Sequence, residues 1–145
     1  MTVGQICGRR LVKVAQNTPL SEVASIMTTQ HVGAVVVVDG NSDRAPLVGI
    51  ITDRDIVNAQ LEYAQDLSSL SARAAMTQNV LSLPHDESID GAIAHMRARS
   101  VRRAPVISAD GIPVGLISVD DLIAQLSFKL FSLAGMVAQQ VQRER

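Results

Sequence analysis

The sequence predicts an α+β protein made of two copies of a strand–helix–strand–strand–helix unit, followed by a long C-terminal helix. Three observations carry this. Leu20, Val23, Ala24 and Met27 follow the i, i+3, i+4, i+7 spacing of a helix with one buried face, and Ile89, Ala92, Ile93 and Met96 repeat it 69 residues later. The β-branched run Val32–Val38 is matched at the same offset by Val101–Ile107; both are too short for helices and read as buried strands. A small motif, Gly-x-x-(Thr/Ser)-x-x-Asp, occurs once in each copy.

In chain order, Leu11–Val14 and Val80–Leu83 read as the first short strand of each copy. Thr18-Pro19 reads as an N-cap followed by Pro at the first helical position. Turn-prone segments, Asp39–Ala45 and Ala109–Gly111, follow the second strands. Val48–Val57 then aligns with Val114–Ile123 as a strand running into a helix, the offset falling to 66 because the first turn is three residues longer. Gln60–Ala75, polar and rich in Ala and Ser, reads as the connection. The expected layout is a first repeat at 1–63, a linker at 64–75, a second repeat at 76–124 and a helical extension at 125–145. A period near 69 is too long for a solenoid and predicts two similar subdomains packed on each other.

From Asp120 to about Arg143 the chain reads as one helix, roughly 36 Å long. Leu122, Leu126, Leu130, Leu133, Val137 and Val141 form one stripe, widened by Ile123, Phe131 and Ala134, with Gly135 weakening the middle. A stripe beyond the domain edge needs a partner surface, or else folds back on its own subunit. Gln139–Arg145 is polar and is expected to fray.

Composition excludes several classes. The 145 residues are 47% apolar and 19% charged, with mean hydropathy +0.21, enough to fold as one compact unit rather than a disordered tail. Aromatics are 2% and Trp is absent, against base-stacking nucleic-acid binders. A net charge of −1 gives no drive toward nucleic acid or anionic membrane. The single Cys7, followed by Arg9 and Arg10 without an activating pattern, excludes a disulfide framework and reads as buried structure. No signal peptide is legible, and the apolar stretch Leu126–Ala138 carries Lys129 and is shorter than a membrane span. A cytoplasmic protein is expected. His31, His85 and His95 lack metal-ligand spacing and read as surface or helix-end residues. No P-loop or nucleophile elbow is present. Asp53, Asp55, Asp120 and Asp121 invite a metal, but Asp53 and Asp120 fall in helix first turns where acids are ordinary. No catalytic or metal-ligating set is predicted.

The motif instances are Gly49-Ile-Ile-Thr52-Asp-Arg-Asp55 and Gly115-Leu-Ile-Ser118-Val-Asp-Asp121. Gly lets a ligand or another stretch of chain approach the backbone. The hydroxyl falls where the strand ends and can cap the helix or bond a ligand oxygen. The Asp, three residues on, sits in the first turn, and its carboxylate can accept two hydrogen bonds from a vicinal diol such as a ribose. Local capping alone explains one copy; two copies at duplicated joints favour a site.

On these residues, with the Thr18-Pro19-Leu20 helix start and the Val-rich strand, the chain resembles a tandem cystathionine-β-synthase (CBS) domain pair, a Bateman module, over roughly Ile6–Ala124. The resemblance implies two repeats packed through their sheets about a pseudo-twofold axis. It implies two clefts, each able to take an adenosine-type ligand (AMP, ADP, ATP or S-adenosylmethionine). Weighed against a dedicated metal site at the acidic cluster, magnesium accompanying a nucleotide's phosphates is the expectation. The Asp would take the ribose hydroxyls. Carried onto this chain, the first cleft would pair Thr52 and Asp55 with Asn79, Leu81, Val101 and Arg103. The second would pair Ser118 and Asp121 with Arg10, Val12, Val32 and Ala34. Arg102-Arg103, supported by Arg54, makes the first cleft the better phosphate site, because the matching positions in the second are Gly33-Ala34; Arg102 and Arg103 as mere solvated strand-entrance residues are the plainer alternative. The family's modules commonly form twofold disk-like dimers, so a homodimer is expected. The reading is a stand-alone regulatory module signalling to an unknown downstream partner. The rivals are a ligand-free assembly module and an enzyme using the acidic cluster.

Overall fold

The computed structural model of the chain describes residues 1–8 and 10–144; Arg9, read beside Cys7, and Arg145, at the end of the tail, lie outside them. The first half holds α1 (Val3–Ile6), β1 (Lys13–Ala15), α2 (Leu20–Gln30), β2 (Ala34–Val38), β3 (Leu47–Thr52) and α3 (Asp53–Tyr63). The second holds α4 (Ala72–Ala75), β4 (Leu83–Pro84), α5 (Ile89–Arg99), β5 (Arg103–Ile107), β6 (Pro113–Ser118) and α6 (Val119–Arg143). Each forms one three-stranded sheet, with orders β1-β2-β3 and β4-β5-β6, the first pair parallel and the second antiparallel. Even the irregularity is duplicated. Val37 pairs Gly49 and Val38 then pairs Leu47, as Val106 pairs Gly115 and Ile107 then pairs Pro113. Val35–Val38 are buried throughout, as a continuous β-branched run in a central strand requires.

The strands start later than their apolar runs. Val32 and Val101 donate their N–H groups back to Met27 and Met96 carbonyls at 3.1 Å, after His31 and Ser100 turn into the left-handed region (φ 55° and 53°). These residues therefore close the ends of α2 and α5 instead of joining the sheets. Before β4, Asn79 is left-handed (φ 53°) and its carbonyl accepts from Arg99 Nη2 at 2.7 Å, so pairing begins only at Leu83. Before β1, Val12 contributes only a carbonyl, to Val36 N–H at 3.0 Å. The start of α2 also differs: Pro19 is the cap residue and Leu20 the first helical one. Leu20 N–H is satisfied by the Leu70 carbonyl (2.8 Å), a partner 50 residues away that the Thr18-Pro19 pair does not reveal.

The two halves exchange their leading turns. α4 and the 3₁₀ turn before it (Leu67–Ser69) pack on α2, α3 and β3, with Leu70 and Ala72 buried in the first core. α1 packs on β4 and β6, with Val3 and Cys7 in the second core. The bridges come in equivalent pairs: Thr2–Ser88 with Pro19–Ser71, and Gly8–Leu116 with Ile50–Thr77. Leu47 N–H to the Gly111 carbonyl (3.4 Å) and an exposed Arg44–Asp110 ion pair (3.1 Å) add contacts between the halves.

α6 is one helix of 25 residues, unbroken at Gly135, and its polar end is helical to Arg143 where fraying was expected. Leu122 is its one buried residue, at 4% exposure. By length and composition it is apolar enough to cross a membrane, a test the shorter stretch Leu126–Ala138 did not meet. Leu122, Ile123 and Ala124, which follow the first-turn acids Asp120 and Asp121, lengthen the apolar run ahead of Leu126.

Candidate functional site

Each motif straddles a strand-to-helix joint. Thr52 ends β3 and caps α3: its Oγ1 accepts from Asp55 N–H (3.2 Å), and Asp55 Oδ2 accepts from Thr52 N–H (2.8 Å). Ser118 and Asp121 repeat this at α6, at 3.1 and 2.8 Å. Reciprocal caps of this kind satisfy two amide groups that a helix start leaves without partners. All four residues are half-buried. Each Asp commits Oδ2 to its own helix, and Oδ1 carries no hydrogen bond among the described residues. The free oxygen stands at the positive end of a helix, suited to hold a charged carboxylate that accepts from hydroxyls.

The glycines of the motif admit chain rather than ligand. A methyl on Gly115 would lie 2.5 Å from Cys7 Sγ, and one on Gly49 would lie 2.7 Å from Met76 Sδ. Both sulfurs belong to the residues that follow the exchanged turns.

The starts of β2 and β5 face each other across the pseudo-twofold axis. The Arg103 guanidinium reaches over from the second repeat to Gly33, its Nη2 3.5 Å from where a Cβ would stand. The Gly33 carbonyl accepts from Asp53 N–H (3.3 Å) and Ala34 pairs Thr52, so Arg103 meets the strand start that borders Thr52 and Asp53. Arg102 turns instead toward Asp120, at 3.9 Å, both exposed. Arg54 is exposed on the first turn of α3.

The remaining expected residues have clear local roles. Leu81 and Val101 pack against the second core, and Val12 and Val32 against the first; Ala34 is buried. Asn79 lines a hollow of about 360 Å³ between the repeats, with Leu47, Val48 and Val80. It also borders an adjoining one of about 410 Å³ reaching Met76 and Gln78. Thr52, Asp55, Ser118 and Asp121 line neither hollow. Arg10 is drawn to the Gln30 carbonyl (Nη2, 3.0 Å), the counterpart of the Arg99–Asn79 contact, so both segments are pinned to the ends of helices. Arg99 escaped the sequence reading; comparison of Arg10/Gln30 with Asn79/Arg99 at the 69-residue offset is the signal for it. Cys7 is buried, with Sγ 3.7 Å from the Gly4 carbonyl. Among the described residues, no group of three or more His, Cys, Asp or Glu side chains could hold a metal ion.

Two equivalent β-α-β-β-α units, joined by exchanged turns and carrying a capped acid at each joint, define a tandem module. The chain belongs to the CBS domain family, whose model matches residues 3–62 and 72–127. It is 32% identical over 124 residues to an uncharacterised 17.7 kDa protein of Acidianus ambivalens, covering 86% of this chain and 72% of that one. It is 25% identical to an uncharacterised protein of Methanopyrus kandleri, of which it spans 61%. It is 29% identical to an inosine-5′-monophosphate dehydrogenase of Thermoplasma acidophilum, of which it spans 22%. Among solved structures, CBSX2 in complex with AMP superposes with TM-score 0.72 at 25% identity, covering 88% of this chain and 98% of that one. A CBS domain pair in complex with 5′-methylthioadenosine and S-adenosyl-L-methionine gives 0.72 at 25%, covering 87% and 98%.

Proposed function

We propose that this chain is a regulatory module that binds an adenosine-type ligand between its repeats, foremost where Thr52 and Asp55 meet Arg103. The observation that supports this reading is the reach of the Arg103 guanidinium across the axis to Gly33, which brings a cationic group of one repeat to the strand start that borders Thr52 of the other. The Asp55 carboxylate takes the ribose hydroxyls through Oδ1, and Arg103 the phosphate oxygens. AMP, ADP, ATP or S-adenosylmethionine fits that chemistry, with magnesium carried only by phosphates. The second cleft, around Ser118, Asp121, Arg10, Val12, Val32 and Ala34, lacks an Arg on the strand and takes a less negative ligand or none. The structures of relatives solved with AMP and with S-adenosylmethionine support this class of ligand.

In this reading the protein is not an enzyme and works in the cytoplasm as a homodimer. Ligand binding shifts the packing of the repeats, and a coupling of about 1–3 kcal/mol suffices to signal to a downstream protein. Calorimetry with AMP, ATP and S-adenosylmethionine tests it. Binding heat that Asp55→Asn removes supports it. The rival, a ligand-free assembly module, is favoured by one observation: both carboxylates already serve their own helix starts. No heat with any of the three ligands, from a protein that is still dimeric, would favour that rival.

A further inference from the structure

The segment that leads into β4 is held differently from its equivalent before β1. Pro105 stands in the middle of β5, the central strand of the second sheet, where the first sheet has Val36. Val36 N–H donates to the Val12 carbonyl at 3.0 Å and fixes the residue just before β1. Proline has no N–H to give. The Leu81 carbonyl, the counterpart of that of Val12, therefore carries no hydrogen bond among the described residues. The chain is anchored by the Thr77–Ile50 bridge on one side and by Leu83 pairing Val106 on the other. Between these anchors, residues 78–82 make one hydrogen bond among the described residues, from Arg99 Nη2 to the Asn79 carbonyl at 2.7 Å. Asn79 itself is left-handed, at φ 53°, a conformation that Asn tolerates but does not favour. In the first repeat the tie from Arg10 to the Gln30 carbonyl stands beside the Val12 bond; in the second, the Arg99 tie stands alone.

We propose that Arg99 is a positioning residue of the first cleft: by holding the Asn79 carbonyl it keeps residues 79–82 in the binding geometry that Pro105, lacking a ladder donor, leaves unset. This rests on the ligand reading above, in which Asn79 and Leu81 border the ligand held by Thr52 and Asp55. The segment is well placed for such a role. Asn79, Val80 and Ser82 line the hollow of about 360 Å³ together with Pro46, Leu47 and Val48 of the first repeat, so they form a wall between the repeats. The Leu81 side chain packs against the second core and acts as the pivot. A wall held in one position binds without first being ordered. A wall that samples several lowers the apparent affinity by the fraction of time it is in place. Arg99 touches no ligand in this account; its effect passes through one carbonyl.

The test joins AMP calorimetry, thermal unfolding and NMR relaxation on the wild type, Arg99→Ala, Arg99→Lys and the double variant Arg99→Ala/Pro105→Val. Position 105 is fully buried, and valine is the residue that the first repeat carries there. It returns the N–H that the Leu81 carbonyl lacks. Arg99→Ala is expected to weaken AMP roughly tenfold, as a wall in place a tenth of the time requires. Backbone order parameters at 78–82 should fall with it, while the unfolding midpoint stays near that of the wild type. Arg99→Lys keeps a donor and should recover part of the affinity. The double variant should recover both affinity and order with no charge at position 99, which separates positioning from a direct contact with phosphate. An Arg99→Ala protein that binds AMP as the wild type does, or whose order at 78–82 is unchanged, would overturn the proposal and leave the ligand reading standing. A folded double variant that still binds weakly would assign Arg99 to the phosphate and likewise overturn it. No binding heat from the wild type would remove both.

Discussion

Cys7 Sγ occupies the space that a side chain on Gly115 would need, 2.5 Å from the missing Cβ, and Met76 Sδ does the same at Gly49, at 2.7 Å. The two contacts are equivalent across the pseudo-twofold axis, and they are how each exchanged turn locks onto the opposite sheet. Gly115→Ala should therefore cost about 1–3 kcal/mol by overpacking. Gly49→Ala should cost less, because Met76 is the more adaptable side chain. Gly135→Ala, where nothing lies within 4 Å, should instead stabilise α6 by roughly 0.5–1 kcal/mol. Urea unfolding of the three variants checks the order.

The carboxylate of Asp55 has two roles that different substitutions separate. Asp55→Ala removes the capping box and should cost about 0.5–2 kcal/mol of stability along with ligand binding. Asp55→Asn keeps a carbonyl oxygen for Thr52 N–H but loses the anionic acceptor for a diol. It should unfold near the wild-type midpoint while AMP affinity falls at least tenfold, read by thermal unfolding beside calorimetry.

Arg103 and Arg102 are neighbours with different surroundings. Arg103 reaches Gly33 across the axis, whereas Arg102 faces Asp120 at the rim. Charge-assisted hydrogen bonds contribute about 1.5–3 kcal/mol, roughly 10- to 100-fold in affinity. Arg103→Glu should weaken AMP by at least that range, and Arg102→Ala by less than about threefold. AMP affinity left unchanged by Arg103→Glu would remove the asymmetry between the clefts.

Asp66 caps the 3₁₀ turn that carries Leu70 toward the first core. Hydrogen bonds from Ser68, first from its backbone N–H, hold the Asp66 carboxyl below its ordinary pKa of 3.8. A depressed folded-state value means that this contribution is present above the unfolded pKa and is lost as pH falls through the folded one. Asp66→Ala should thus lower the unfolding midpoint slightly at pH 7, and the difference from wild type should vanish toward pH 2. A difference that persists undiminished there would assign the effect to something other than the charge.

The duplication, the order of elements in each repeat and both strand-to-helix joints were legible in the sequence, because each rests on local spacing. Thr52 with Asp55, and Ser118 with Asp121, lie three residues apart, and the chemistry of a helix start fixes their geometry. What escaped depends on distant partners. Leu20 N–H bonds the Leu70 carbonyl, and nothing near Pro19 announces it. Val32 and Val101 look like strand residues by type but close helix ends, because the left-handed His31 and Ser100 turn their amides back. The exchange of α1 and α4 was present as a faint extension of the repeat, Thr2 with Ser71 and Cys7 with Met76 at the same 69-residue offset. The residues between those positions, Val3-Gly-Gln-Ile6 and Ala72-Arg-Ala-Ala75, share no residue type and hid it. The motif glycines then took a different meaning: they make room for that exchange.

The most direct measurement is a crystal structure with AMP. Density for the ribose hydroxyls within hydrogen-bonding distance of Asp55, and for the phosphate against Arg103, is the predicted result. A nucleotide seated away from both residues, or crystals that stay empty at millimolar AMP, would contradict the claim that one repeat's acid and the other repeat's arginine share a ligand.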